Sequence, residues 1–205
     1  MLTRVVAAAG EYPAAPLVVI GGDTGAFQAL HAAAATDAPL APVGLILAGT
    51  APTADSPAPS TPTDEERGWD AELAARTACP THRKKLTDDR AFARGRLFGP
   101  VPAHLLPDAR TDLPDLSDLP VLVLHGETDP ITPLEQARDL AERLPRATFG
   151  VLHDGVHDVL NDATHRTTAA TIVLWLERLC ADPAMSPLLT LETFETLETG
   201  RREAA

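Results

Sequence analysis

The sequence is poor in aromatic residues, cysteine and positive charge. Aromatic residues make up 4% of its 205 residues, there are two cysteines, and 17 Lys+Arg stand against 29 Asp+Glu, which gives a formal charge of −12. Two cysteines do not make the disulfide framework of a small secreted domain. A chain with this net charge lacks the basic face that a phosphate backbone requires, so we expect no nucleic-acid partner.

Long apolar runs are also lacking. No run approaches the roughly 18 apolar residues of a transmembrane helix, so the sequence predicts no membrane span. The first residues, MLTRVVAAAGEYP, lack the basic start and sustained apolar stretch of a signal peptide, so we expect a cytoplasmic protein. The apolar content of 44% and the charged content of 22% are typical of one globular domain with its own core.

Apolar runs alternate with helical periodicities along the chain. Runs that fit strands buried on both faces occupy 16–20, 43–48, 119–124 and 147–152. Helical patterns occupy 2–12, 26–35, 133–144 and 163–180, the last with Ile172, Val173, Leu176, Leu179 and Cys180 on one stripe. This alternation predicts an α/β fold with a mostly parallel sheet of about four strands and flanking helices.

The sequence divides into a core, an insertion and a tail. Residues 1–50 and 118–180 carry the α/β pattern. Residues 51–117 read as a Pro-rich linker followed by a small helical cap insertion, with weak helical patterns around 68–78 and 86–98. The tail, 181–205, has apolar residues three apart and is interpreted as a short docking helix or as disorder with helical tendency. Cys79 and His82 supply two of the four ligands of a zinc site, so no metal is expected.

The segment Gly21-Gly22-Asp23-Thr24-Gly25 lies between a buried strand and a helix. A sharp strand–turn–helix strains its central residue and crowds the residues two before and two after, which must then be small, as Gly21 and Gly25 are. This is the pattern of a nucleophile elbow with Asp23 at its tip, and a carboxylate can act as a nucleophile. A glycine-rich turn in which Asp23 caps the helix fits equally well. The spacing is not G-x-G-x-x-G, which disfavours a dinucleotide site.

Two further segments follow predicted strands, at the edge where open α/β sheets place their sites. HGETDPITP at 125–133 supplies Asp129, and DGVHDVLN at 154–161 supplies His157. Taken singly, Asp129 fits a turn residue before Pro130, and His157 fits a surface histidine. Together with Asp23 they follow the chain order nucleophile, acid, histidine.

In GGDTG, LPVLVLHGETDPITP and HDVLND the chain resembles the α/β-hydrolase superfamily, and specifically its lysophospholipase and monoacylglycerol-lipase-like, serine aminopeptidase S33-like branch. The resemblance covers 1–50 and 118–180, and it equates the insertion with the family's cap. It implies hydrolysis of a carboxylic ester or similar small lipophilic substrate, without a metal or organic cofactor.

The resemblance also implies roles for individual residues. Asp129 would be the triad acid, and His157, rather than the nearby His153, would be the base. The backbone N–H of Thr24 would be one oxyanion donor. Asp23 stands where this branch has serine. Aspartate at that position resembles haloalkane dehalogenases and epoxide hydrolases. However, the one tyrosine, Tyr12, lies outside the cap, and Thr24 stands where dehalogenases have a halide-binding tryptophan.

The second departure from the family is at the start of the chain. About two to three βα units that precede the elbow in the family are missing, and we expect an exposed sheet edge that could support self-association. Three hypotheses stay open: an ester hydrolase with an elbow nucleophile, a dehalogenase or epoxide-hydrolase type with an aspartate nucleophile, and a non-catalytic or truncated interaction module.

Overall fold

The computed structural model describes residues 16–35, 41–52, 68–99, 113, 115–182 and 184–190. The strands formed by these residues are β1 (Val18–Asp23), β2 (Gly44–Thr50), β3 (Val121–Gly126) and β4 (Ala147–Leu152). The helices are α1 (Thr24–Ala35), α2 (Trp69–Arg76), α3 (Pro80–Asp88), α4 (Leu134–Glu142) and α5 (His165–Ala181). The predicted helix at 2–12, nearly all of the linker and the tail beyond residue 190 lie outside the described residues, and the division into core, insertion and tail stays a prediction.

The four strands form one parallel sheet in the order β1-β2-β3-β4. The register is continuous from β2 to β3 and from β3 to β4, with Ile46 beside Leu122 and Val123 beside Phe149, and it shifts between β1 and β2 only at Asp23. Because all four strands run in the same direction, their carboxyl ends lie along a single edge. The predicted fold class, a partial α/β fold of four parallel strands with flanking helices, is confirmed.

The core lies on both faces of the sheet. Alternate residues of β2 point in opposite directions, so that Leu45 and Leu47 join one apolar cluster and Ile46 and Ala48 join the other. The first cluster includes residues of α1 and α4, and the second includes Trp175 of α5. Strands covered on both faces in this way read as continuous apolar runs, which is why the sequence pattern located them.

Two boundary predictions differ from the structure. The first strand does not end at residue 20 but continues to Asp23, because Gly21 and Gly22 still pair with Leu47 and Ala48. The predicted helix at 86–98 is wrong: a helix begins at Pro80 and ends at Asp88, and residues 90–99 form turns. Proline is favoured at a first helical position because it lacks an N–H that would have no partner there, and this signal was missed.

The apolar stripe of α5 also differs from the prediction. Ile172, Leu176 and Leu179 pack into the core as expected, but Val173 is 52% exposed and Cys180 is exposed. Trp175 takes the central place, because 172, 175, 176 and 179 follow the helical spacing i, i+3, i+4, i+7. Its ring and the side chain of Leu179 lie where a Cβ on Gly44 would be, so α5 approaches the start of β2 closely.

Within the described part of the chain both edge strands of the sheet, β1 and β4, pair with only one other strand. There β1 pairs with β2 on one side and with no strand on the other. Ile20, in the middle of β1, is 53% exposed, in contrast to the buried residues of β2 and β3. The helices α1–α5 include none with the length and apolar character needed to cross a bilayer.

The packing of Trp175 leads to a stability prediction. We expect Trp175→Ala to lower the free energy of unfolding by about 3–5 kcal/mol, because it removes a buried ring and leaves a cavity over Gly44. Leu174→Ala on the same helix is the matched control and should change it by less than about 0.5 kcal/mol, because Leu174 is 56% exposed. Urea unfolding followed by circular dichroism measures both, and equal losses would contradict this packing.

Candidate active site

The turn between β1 and α1 contains no loop residue. Asp23 ends the strand and Thr24 begins the helix. The backbone φ of Asp23 is +52°, in the left-handed region that residues with a side chain rarely adopt. The Asp23 side chain is about half exposed and lies at the amino end of α1, where the helix dipole favours negative charge. The backbone thus presents this carboxylate at the carboxyl edge of the sheet.

Gly21 makes the tight turn sterically possible. A Cβ on Gly21 would overlap the carbonyl oxygen of Gly25 and lie 2.8 Å from Cα of Ala26. A Cβ on Gly25 would meet no atom within 4 Å. The crowding expected between the two glycines is therefore one-sided. Position 21 cannot carry a side chain, whereas Gly25 only provides the backbone atoms that Gly21 approaches.

Asp129 lies in the loop after β3 with a fully buried side chain. Its Oδ1 accepts the backbone N–H groups of Ile131 at 2.8 Å and Thr132 at 3.2 Å. Its Oδ2 accepts the Nδ1–H of His157 at 2.9 Å. The sequence allowed Asp129 to be either a turn residue or the partner of His157. In the structure it does both: it accepts the backbone N–H groups of the turn and binds the histidine.

His157 lies in the loop after β4, between two carboxylates. Because its Nδ1–H binds Asp129, its Nε2 faces the turn after β1 and lies 3.7 Å from Oδ1 of Asp23. The His157 ring is buried, whereas Asp23 is partly open to solvent. The structure thus brings together Asp23, His157 and Asp129 from the ends of three strands.

The backbone of His157 is held from two sides. Its N–H donates to the carbonyl of Ala75 at 3.2 Å, and the N–H of Asp158 donates to the carbonyl of Arg76 at 2.8 Å, both at the end of α2. On the other side lies Gly49, with a φ of +49°, where a Cβ would overlap the carbonyl oxygen of His157. The end of α2 and the end of β2 therefore fix the position of the histidine.

Asp162 is a site residue that sequence reasoning missed. It is buried, and its carboxylate accepts backbone N–H groups from Ala78 at 2.6 Å, Val156 at 2.8 Å and Ala163 at 2.8 Å. It therefore joins the segment between α2 and α3, the histidine loop and the start of α5. Its place in HDVLND, the segment that supplied His157, is the one feature of the sequence that points to it, whereas its burial and its three donors depend on contacts that the sequence does not show.

The charges at the site favour a protonated histidine. Burial by itself would lower the pKa of His157, but hydrogen bonding to Asp129 and interaction with Asp23 outweigh it and raise the pKa to about 9. For Asp23, burial would raise the pKa, but His157, the Thr24 N–H and the charge of Arg76 hold the pKa below its ordinary value of 3.8. At neutral pH the site therefore contains an imidazolium between two carboxylates.

Other residues considered from the sequence lie elsewhere. His153 is 84% exposed and its Nδ1 lies 3.2 Å from Glu127 Oε2, so it is outside the site. The backbone N–H of Thr24 interacts with the carboxylate of Asp23. His82 lies 3.3 Å from Asp158, next to the site but not in it. Within the described ranges, no three His, Cys, Asp or Glu side chains cluster in a way that could hold a metal ion.

A parallel sheet that carries an acid, a histidine and a strand–helix turn at its carboxyl edge is typical of the α/β-hydrolase class. Within that class the chain belongs to the serine aminopeptidase S33 family, whose model matches residues 2–164. No protein of curated function matches the chain.

Solved structures with a similar fold include two lipases. A soluble variant of monoglyceride lipase from Saccharomyces cerevisiae has a TM-score of 0.62 at 15% identity, covering 87% of this chain and 66% of that one. Monoacylglycerol lipase from Paleococcus ferrophilus has a TM-score of 0.58 at 18% identity, covering 89% and 74%. A meta-cleavage product hydrolase from Pseudomonas fluorescens has a TM-score of 0.56 at 18% identity, covering 84% and 69%. The chain spans just under two thirds of the yeast lipase, and these likenesses show a shared fold.

The one-sided crowding at the turn predicts opposite effects for two similar substitutions. Gly21→Ala should lower the free energy of unfolding by about 1–3 kcal/mol, because its Cβ would overlap backbone that cannot move aside. Gly25→Ala should leave stability unchanged or raise it by up to about 1 kcal/mol, because alanine is the better helix former and its Cβ is unobstructed. Urea unfolding tests both, and a destabilised Gly25→Ala variant would refute this account of the turn.

Proposed function

We propose that this chain hydrolyses a small lipophilic carboxylic ester or similar compound, with Asp23 as a covalent nucleophile, His157 as acid and then base, and Asp129 as the partner of His157. The observation that supports this proposal is the placement of His157 between the two carboxylates, 2.9 Å from Asp129 and 3.7 Å from Asp23. The family suggests the reaction class, and proteins of similar fold include lipases.

The first step is attack of the Asp23 carboxylate on the acyl carbon of the ester. The carbon–oxygen bond to the alcohol breaks, and the leaving oxygen needs a proton because an alkoxide is a poor leaving group. His157 carries that proton at neutral pH, since its pKa is raised to about 9. The products of this step are the free alcohol, a mixed anhydride between the acyl group and the Asp23 carboxylate, and a neutral His157.

The second step is hydrolysis of the acyl-aspartate. Once Asp23 is acylated it is uncharged, so one of the two carboxylates that raised the pKa of His157 is lost. The neutral imidazole then takes a proton from water, and the hydroxyl attacks the carbonyl carbon of Asp23. The Thr24 N–H, which interacts with this carboxylate, is placed to stabilise the oxyanion formed there. The acid is released, and both starting charges are restored.

The same charges weigh against the dehalogenase alternative. A halide leaves without a proton, so a resting imidazolium contributes nothing to its departure and would have to lose its proton before activating water. An alcohol leaving group uses the proton that His157 already carries. The non-catalytic alternative differs more simply, because it predicts no turnover. Self-association through the open edge of β1 and a cytoplasmic location stay predictions from the sequence.

This mechanism predicts an unusual pH profile. For an alkyl ester we expect kcat/KM to fall about tenfold per pH unit above about 9, because His157 must be protonated in the free enzyme, and to hold a plateau down to the depressed pKa of Asp23. A nitrophenyl ester, whose leaving group needs no proton, is the control and should show a shallower alkaline fall. An alkyl-ester rate that rises with pH through the pKa of His157 would indicate a neutral histidine acting first, and would contradict the proposal.

The covalent step is tested by isotope labelling. During turnover in ¹⁸O-water the oxygen that attacks the acyl-aspartate should enter the carboxylate of Asp23, which mass spectrometry of the peptide detects. His157→Gln is the control and should lose both turnover and label, because no base then activates water. Turnover by the intact protein without label in Asp23 would contradict the proposed attack of water at the Asp23 carbonyl carbon, and no ester turnover at all would support the non-catalytic alternative.

A further inference from the structure

Positive charge is concentrated in one part of this acidic protein. Seven of the 17 Lys+Arg lie between Arg76 and Arg96, together with two acids, although the formal charge of the whole chain is −12. The expectation from the sequence that the chain lacks a basic face followed from this net charge, which conceals the local excess. Five of the seven residues are exposed, and we call them the basic surface: Lys84, Lys85, Arg90, Arg94 and Arg96.

The residues that follow α3 fold back onto α2. The side chain of Glu72 on α2 is fully buried and accepts the backbone N–H groups of Gly95 and Leu97. Arg94 donates to the carbonyl of Thr87, in the last turn of α3, at 2.7 Å. The basic surface therefore lies on one compact unit formed by α2, α3 and the turns that follow.

Most of the charge on the basic surface is not neutralised. Lys84 pairs with Asp88 at 2.5 Å. The guanidinium of Arg94 lies 4.5 Å from the ring centroid of Trp69, a contact that leaves its charge in place. The other three cations form no ion pair with any residue that the structure describes: Lys85, Arg90 and Arg96. Unpaired cations on a protein of the opposite net charge are suited to an anionic partner.

The composition of this surface distinguishes between kinds of anionic partner. None of the nine residues of α3 is buried, so the helix is open to contact. The exposed residues between 80 and 96 include no aromatic and no large aliphatic side chain, which are the side chains that anchor protein interfaces. A nucleic acid would also meet the rest of the chain, which carries the net negative charge. Clustered Lys and Arg are typical of surfaces that bind anionic lipid.

The basic surface adjoins the loop of His157. His82 on α3 lies 3.3 Å from the carboxylate of Asp158, the residue after His157. The Nε–H of Arg83 donates to the carbonyl of Thr77, between α2 and α3, at 2.6 Å. A partner that binds α3 therefore lies close to the candidate active site.

We propose that the basic surface binds the anionic headgroups of a lipid membrane and holds the candidate active site near esters dissolved in that membrane. Each Lys or Arg close to such a surface raises the affinity about fivefold. The delivery of the ester rests on the proposed function, in which the substrate is lipophilic. The binding of the membrane does not depend on it.

Vesicle binding tests the surface directly. At about 0.1 M salt we expect the protein to co-sediment with vesicles of phosphatidylcholine and phosphatidylserine in a ratio of about 2:1, and not with pure phosphatidylcholine vesicles. About 1 M salt should release it, since the Debye length falls from about 10 Å to about 3 Å. Failure to bind the mixed vesicles, or equal binding to both kinds, overturns the inference. Equally strong binding of a single-stranded oligonucleotide also overturns it, because the surface would then be specific for no lipid.

Substitutions separate the basic surface from the net charge. Arg90→Gln combined with Arg96→Gln removes two positive charges and should weaken binding to the mixed vesicles about thirtyfold. Arg138→Gln combined with Arg143→Gln is the matched control, because it removes two exposed arginines at α4 and changes the net charge equally. It should weaken binding less than about threefold, since screening limits the reach of a remote charge. Equal losses in the two double variants would contradict a dedicated surface.

The effect on turnover separates this inference from the proposed function. For an alkyl ester embedded in the mixed vesicles, Arg90→Gln with Arg96→Gln should lower the rate at a low vesicle concentration as much as it lowers binding. For a short soluble ester kcat/KM should stay unchanged, because these exposed arginines lie outside the site. Equal losses on both esters would overturn the inference. Vesicle binding without turnover of either ester would overturn the proposed function and leave the membrane surface standing.

Discussion

The site depends on the parallel pairing of four consecutive strands. Asp23 ends β1, Asp129 follows β3 and His157 follows β4, and these residues meet because the carboxyl ends of all four strands lie on one edge. The register between β3 and β4 is unbroken from Val121 to Gly126, so the two loops that follow them start side by side. The strands are held in place by buried apolar residues on both faces of the sheet. The polar groups of the site therefore lie at the strand ends and in the loops that follow them.

The electrostatics of the site follow from having aspartate where the family branch resembled by the sequence has serine. A serine hydroxyl is neutral and needs a neutral histidine to remove its proton. A carboxylate is charged from the start, attracts a proton to His157 and makes the imidazolium the resting form. The same residues can then act in the reverse order, with proton donation before proton removal. In the proposed mechanism, an aspartate at the turn therefore changes the order in which His157 gives and takes a proton.

Much of this architecture could be predicted from the sequence, because it depends on patterns that are local. Buried parallel strands read as apolar runs, and the residues that follow them are adjacent in the sequence to those runs. What could not be predicted depends on contacts between distant segments. Asp162 binds N–H groups from residues 78, 156 and 163, and Gly49 packs against the backbone of His157, neither of which leaves a periodic signal. The central place of Trp175 on α5 could not be predicted for a similar reason, because its ring packs over Gly44, which lies on β2 and is distant in the sequence.

The hydrogen bonds between α2 and the loop of His157 have a consequence for how this protein can change over evolution. The end of α2 accepts backbone hydrogen bonds from His157 and Asp158, and Asp162 binds the N–H groups of both Ala78, just after α2, and Val156 in the loop. In such an arrangement α2 and the loop that carries His157 form one mechanical unit. A segment joined only by flexible linkers could be exchanged freely between related proteins. Here, any change near residues 75–78 is also a change in the support of His157, so the two segments are expected to vary together.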